Sequence, residues 1–130
     1  MGIKIEKVDK TRYKLLDDYS RCVYSRCIIV RRGFVTDGAS IPKWLWWLVG
    51  SPFTGNYTNA AIIHDALYAS EAVNKSFADT MFLKIMEMDG VGWFRRNAMY
   101  IAVDMFGHHV WDTHTADSVK EANNFVEVIA

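Results

Sequence analysis

The sequence predicts a single, mainly helical domain with a small β element at its N-terminal end. Apolar residues recur at helical spacing in segments between residues 57 and 107, while β-branched and aromatic stretches cluster before residue 37. The 130 residues are 51% hydrophobic, enough for one core, and no Pro-rich or Gly-rich linker divides them, since the only prolines are Pro42 and Pro52.

In chain order, residues 1–36 form the β-rich part. Cys27-Ile28-Ile29-Val30 and Phe34-Val35 read as short strands or a hairpin. Residues 37–56, DGASIPKWLWWLVGSPFTGN, have turn formers at both ends and a tryptophan-rich centre, predicting a loop with a helical insert after Pro42. A helix is expected over 57–72, where five alanines lie uninterrupted by Pro or Gly. Asn74 offers an N-cap to a second helix, with Phe77, Met81, Leu83, Ile85, Met86 and Met88 as its apolar surface and Gly90 as its stop. The tight connection predicts an antiparallel pair. A third helix is expected over about 92–106, from the rhythm of Trp93, Ala98, Ile101, Ala102, Met105 and Phe106, with Gly107 as its end. Residues 108–130 read as a tail.

Fifteen Lys and Arg balance fifteen Asp and Glu, so no global field favours nucleic acid, and none is expected as a partner. The N-terminal MGIKIEKVDK lacks the apolar stretch of a secretory signal, and the longest apolar run, Trp44 to Val49, is too short for a transmembrane segment. Cys22 and Cys27 match no CxxC motif and are too few for a disulfide framework, so both read as reduced thiols. His108, His109 and His114 have no common zinc-ligand spacing and read as a solvated helix end. Arg95 and Arg96 read as a polar face.

The chemistry centres on His64. On a helix His64 and Tyr68 share a face, whereas Asp65 points about 100° away. If the second helix folds back, Asp79 comes near His64, and a carboxylate holding one imidazole tautomer makes a general base. Asp65, with the Asp37 side chain and the carbonyls of the Asp37-Gly38-Ala39 turn, suits a hard cation such as calcium. Each residue also has a plainer role. His64 fits a hydrogen-bonded core histidine, Asp37 an Asx turn, Asp79 a carboxylate near a helix start and Tyr68 a packing residue. Trp44, Trp46 and Trp47 fit either a lipid interface or the core.

The ordered set DG-S at 37–40, SPF at 51–53, A--HD--Y at 61–68, NKS--D--F at 74–82 and MYIAVDMFG at 99–107 resembles the prokaryotic secreted phospholipase A₂ pattern. The chain is also similar to short phage and prophage proteins of unknown function with TDGASIP, HD-LY and AD--F motifs. The phospholipase resemblance implies a phospholipase A₂-like fold, with His64 activating water, Asp79 orienting it and Tyr68 supporting Asp79. It implies calcium held by Asp37, Asp65 and the Gly38 carbonyl. The family's disulfide-forming cysteines are absent, and the link between His64 and Asp79 is shorter. The expected function is a calcium-dependent phospholipase A₂-like ester hydrolase of phage origin, in host cytoplasm or phage particle, meeting lipid through the tryptophan segment. Two alternatives stand beside it: a non-catalytic virion or assembly component packed against phage structural proteins, and a metal-dependent hydrolase of a cell-wall or other polar substrate.

Overall fold

A computed structural model describes residues 3–9, 12–36, 44 and 56–129. The N-terminal part forms β1 (Ile5–Lys7), β2 (Tyr13–Leu15), β3 (Tyr19–Val23), β4 (Arg26–Val30) and β5 (Val35–Thr36). Helices α1 (Thr58–Ser70), α2 (Lys75–Met88), α3 (Trp93–Trp111) and α4 (Ala116–Ala122) follow, and β6 (Val126–Ile129) closes the described chain.

The strands form two antiparallel three-stranded sheets, in the orders β1-β2-β5 and β3-β4-β6. This corrects the expected mainly α, phospholipase A₂-like fold: the architecture is mixed, and the sheets are not a minor N-terminal appendage. The C-terminal β6 pairs with β4, setting Val126 opposite Val30 and Ile129 opposite Cys27. Where a tail was expected over 108–130, the described residues to 129 complete α3 and add α4 and β6. A strand of four residues carries too little alternation to stand out, and only its distant partner gives it a role.

Cys22 and Cys27 are joined by a disulfide, which corrects their reading as free thiols. They face each other across the β3-β4 hairpin, whose turn places Tyr24 and Ser25 at positive φ of 53° and 64°. A two-residue turn with both residues left-handed matches the twist of the strands but is unfavourable for side chains with a Cβ. The cross-strand bond holds closed a turn that contains neither Gly nor Asn, the residues that favour this conformation. Arg21 on β3 reaches Asp89 at the end of α2, tying the hairpin to that helix.

Helix α1 is the centre of the core. Ala60 through Tyr68 are buried without a break, because α1 packs against α2 and α4 and also touches β4, β5 and β6. A helix buried all round has no polar face on which a charged residue can reach water, so His64 and Asp65 are both inside despite pointing about 100° apart. The second helix follows its predicted signals: the Asn74 side chain accepts from the Phe77 N–H as its N-cap, and Gly90 takes positive φ just past its end.

The third helix differs from its expected form in two ways. It runs on through Gly107 to Trp111. Its buried face consists of Met99, Ala102, Val103 and Gly107, while Trp93, Ile101, Met105 and Phe106 are exposed. Much of the apolar rhythm that predicted the helix thus points into solvent.

Candidate functional site

The link between α1 and α2 is short because Glu71 turns the chain in a left-handed C-cap and Asn74 starts the next helix. The two helices fold back on each other, and Asp79 faces the side of α1 that carries His64 and Tyr68. Asp79 Oδ1 lies 2.7 Å from His64 Nε2 and accepts a hydrogen bond of 2.7 Å from the Tyr68 hydroxyl. Its other oxygen, Oδ2, accepts from Lys75 Nζ at 2.7 Å. His64 lies against the rings of Tyr68 and Phe82, with centroids 4.2 and 4.6 Å away.

Lys75 is the member that sequence reading missed. It sits one turn before Asp79 on the same face of α2, a spacing that allows an ion pair, and its ammonium also donates to the carbonyls of Val103 and Asp104 on α3. The i to i+4 spacing was visible in NKS--D, but nothing local showed that the carboxylate was buried and needed a cation. Gly107 lets α3 close over the same group: a Cβ there would collide with the Tyr68 hydroxyl.

These contacts set the charges. Burial holds the His64 imidazole below its ordinary pKa of 6.5, against the pull of the Asp79 carboxylate, and the Lys75 ammonium pushes in the same direction as burial. Burial pushes Asp79 up, but hydrogen bonds from His64, Lys75 and Tyr68 outweigh it and hold the carboxyl below 3.8. Tyr68 is pushed well above its usual range by burial and by the adjacent carboxylate. At neutral pH the group is therefore a neutral imidazole, an anionic carboxylate and a neutral phenol, with Lys75 carrying the balancing charge. A carboxylate at Nε2 selects the tautomer with its proton there and makes Nδ1 the basic nitrogen.

Asp65 faces elsewhere. Its carboxylate accepts from the Thr36 hydroxyl at the end of β5 and lines a cleft of about 250 Å³ with Arg12, Phe34, Val35, Tyr68, Val110 and His114. Tyr68 thus borders both the buried group and the cleft. His114 Nδ1 lies 2.9 Å from the Glu71 carboxylate, joining the loop after α3 to the end of α1. It stands apart from His108 and His109, which are exposed near the end of α3.

Asp37, Gly38, Trp46, Trp47 and the SPF segment at 51–53 lie outside the described residues. Thr36, the last described residue before that segment, is bonded to Asp65. Among the described residues no group of three or more His, Cys, Asp or Glu side chains is arranged to hold a metal ion. The donor at the described end of the expected calcium site is a carboxylate beside a hydroxyl, oxygen chemistry that suits a hard cation. Trp44 is exposed and packs edge-on against Phe106 at 6.0 Å between ring centroids.

Residues 13–103 match the family described as "Protein of unknown function (DUF1353)". The chain belongs to this family. The matched DUF1353 region runs from β2 into α3, so it contains His64, Asp65, Tyr68, Lys75 and Asp79. The chain is also 40% identical over 80 residues to "Uncharacterized protein y4jT" of Sinorhizobium fredii (strain NBRC 101917 / NGR234), a match covering 60% of this chain. It spans only 23% of the length of that curated relative. No solved structure matches the chain.

Proposed function

We propose that this DUF1353 protein is an ester hydrolase of phage origin in which His64 is the general base and Asp79 its orienting partner. The observation that carries the reading is the shared Asp79 oxygen, 2.7 Å from both His64 Nε2 and the Tyr68 hydroxyl, on helices that set Asp65 one residue away against a cleft. A neutral imidazole with its Nε2 proton held by a carboxylate is the form that can accept a proton.

In the proposed reaction His64 Nδ1 takes a proton from water, and the resulting hydroxide attacks the ester carbonyl. The imidazolium so formed is stabilised by the Asp79 carboxylate. Collapse of the tetrahedral intermediate breaks the bond to the leaving oxygen, and His64 returns its proton to that oxygen, releasing an acid and an alcohol. Tyr68 and Lys75 hold Asp79 in place throughout. Calcium, with Asp65, Asp37 and the Gly38 carbonyl as ligands, would supply charge stabilisation for the developing oxyanion. Phe34, Val35, Ala69 and Val110 give the cleft apolar walls, which favours an ester with an apolar body over a fully polar cell-wall substrate.

The test is calorimetric titration of EDTA-stripped protein with calcium, beside Asp65→Asn, with release from phospholipid and short-chain esters followed in the same buffers. Binding and release, both lost in the variant, support the reading. Absence of calcium binding at millimolar concentration removes the metal-assisted mechanism. A second reading, a virion or assembly component that keeps the polar group for stability, is favoured by the complete burial of His64. It predicts no ester release with or without calcium.

A further inference from the structure

The cleft beside Asp65 has a neighbour. A second cavity, of about 260 Å³, adjoins it and shares three of its lining residues, Phe34, Val35 and Ala69. It lies between the turn before β5 and the face of α4 that carries Ser118 and Ala122. The space exists because small residues meet there: Gly33 on the turn, Ala69 near the end of α1 and Ala122 on α4. Phe125 bounds it, with its ring tilted 60° to that of Phe34 and 6.4 Å between the centroids. Gly33 has φ of 94°, and a Cβ there would come within 3.2 Å of the Phe125 ring, so this wall depends on glycine.

Polarity changes from one cavity to the other. Arg12, Asp65 and His114 line the first. The second has only Glu121, at an exposed position, and Ser118, whose hydroxyl is held by the Thr115 cap. The rest of its lining is apolar. Two cavities that adjoin along one edge make a trough with a polar end at Asp65 and an apolar end at Phe125. Ala69 sets only a methyl group at the boundary, and Val35 is 42% exposed, so no bulky side chain fills it. Among the described residues no helix is long and apolar enough to cross a membrane, and both cavities open to solvent.

We propose that the trough holds an unbranched aliphatic chain, with its polar head at Asp65 and its tail passing Ala69 into the cavity under α4. The identity of the head rests on the hydrolase reading above: the chain is the acyl part of the ester, and Ala69 governs the length accepted. A compact or branched body would fill the first cavity and stop at Ala69. A fully polar ligand would find one exposed carboxylate, Glu121, and little else to bond in the second. A linear chain uses both cavities and matches the change in polarity between them. Each buried methylene strengthens binding roughly fourfold, so two carbons beyond Ala69 gain about tenfold. Such remote binding can be used to hold the reacting carbonyl in place.

The test has two arms. Calorimetric titration of the full chain with octanamide and with butanamide reads binding without any ester chemistry. Octanamide is expected to bind at least about tenfold more tightly. That preference should fall about tenfold in Ala69→Leu, which narrows the boundary, and in Ala122→Leu, which fills the second cavity alone; circular dichroism checks that both variants are folded. No binding of octanamide at millimolar concentration, equal affinity for the two amides, or a preference that both folded variants keep overturns the proposal. In the second arm, kcat/KM for nitrophenyl octanoate relative to nitrophenyl butanoate should fall in the same two variants. A ratio that does not move in either overturns the acyl assignment. Selective octanamide binding with no ester release at either length would remove the hydrolase reading and leave the chain site standing. Ester release with no preference for chain length would do the reverse.

Discussion

One oxygen of Asp79 serves both His64 and Tyr68, at 2.7 Å from each, while the other binds Lys75. The carboxylate is 1% exposed and relies on protein groups for its solvation. Replacing it leaves Lys75 without its carboxylate and His64 without its orienting partner. On the proposed role of His64, Asp79→Asn is expected to abolish ester release, and it should destabilise the fold by about 3 kcal/mol, the usual scale for breaking a buried ion pair from one side. Urea unfolding gives the second value; a change below about 0.5 kcal/mol would show that the network contributes little to stability.

Lys75 should add to the lowering of the His64 pKa that burial mainly causes. Its ammonium disfavours a second positive charge nearby, so in Lys75→Met the His64 pKa is expected to move up, nearer its ordinary value. Imidazole chemical shifts followed against pH in the folded variant report the direction. A downward shift would mean that loosened packing, not the lost charge, dominates.

Stability should fall on mild acidification. The folded state holds His64 below 6.5, so as pH drops beneath that value the unfolded chain takes up a proton that the folded chain resists. The His64 contribution is fully present above about pH 6.5 and is lost as pH falls toward the folded pKa. Asp79 adds to the same slope at lower pH, since its folded pKa lies below 3.8. Tm measured from neutral to acidic pH should decline, and His64→Gln should flatten the upper part of that decline.

Gly107 is needed for close approach. An alanine methyl there would meet the Tyr68 hydroxyl, so either α3 moves outward or Tyr68 leaves Asp79. Gly107→Ala gains about 0.5–1 kcal/mol from helix propensity if nothing else changes. A net loss of stability is therefore expected, and pairing Gly107→Ala with Tyr68→Phe should relieve most of it. Equal losses in the two backgrounds would place the collision elsewhere.

The Cys22–Cys27 bond should matter through the hairpin it closes. Chain-entropy arguments assign a short loop of this kind about 2 kcal/mol. The Cys22→Ser/Cys27→Ser protein is expected to lose that amount in chemical unfolding, and reductant should shift the wild type to the same midpoint. Mass spectrometry of alkylated, unreduced protein checks that the bond is present.

The first three helices were legible because their signals are local, whereas α4 fell in the segment read as a tail. Alanine content, the Asn74 cap and Gly90 depend on neighbours within one turn, and α1 and α2 lie where those signals predict. The short link between them also brought Asp79 within reach of His64 and Tyr68 by spacing alone. The strands were legible only in part, since each spans two to five residues, too few for alternation to set a period.

What the sequence by itself determined is the presence of α1, α2 and α3 and the meeting of His64, Tyr68 and Asp79, because capping, propensity and i to i+4 spacing act over a few residues. Tertiary structure decided the rest. It made β6 the partner of β4, paired the cysteines, enclosed α1 so fully that His64 and Asp65 are both buried, brought Lys75 in as the cation that balances Asp79, and turned the apolar stripe of α3 outward. Each of these depends on segments distant in the chain being packed together, and burial is a property of that packing, which no local pattern specifies.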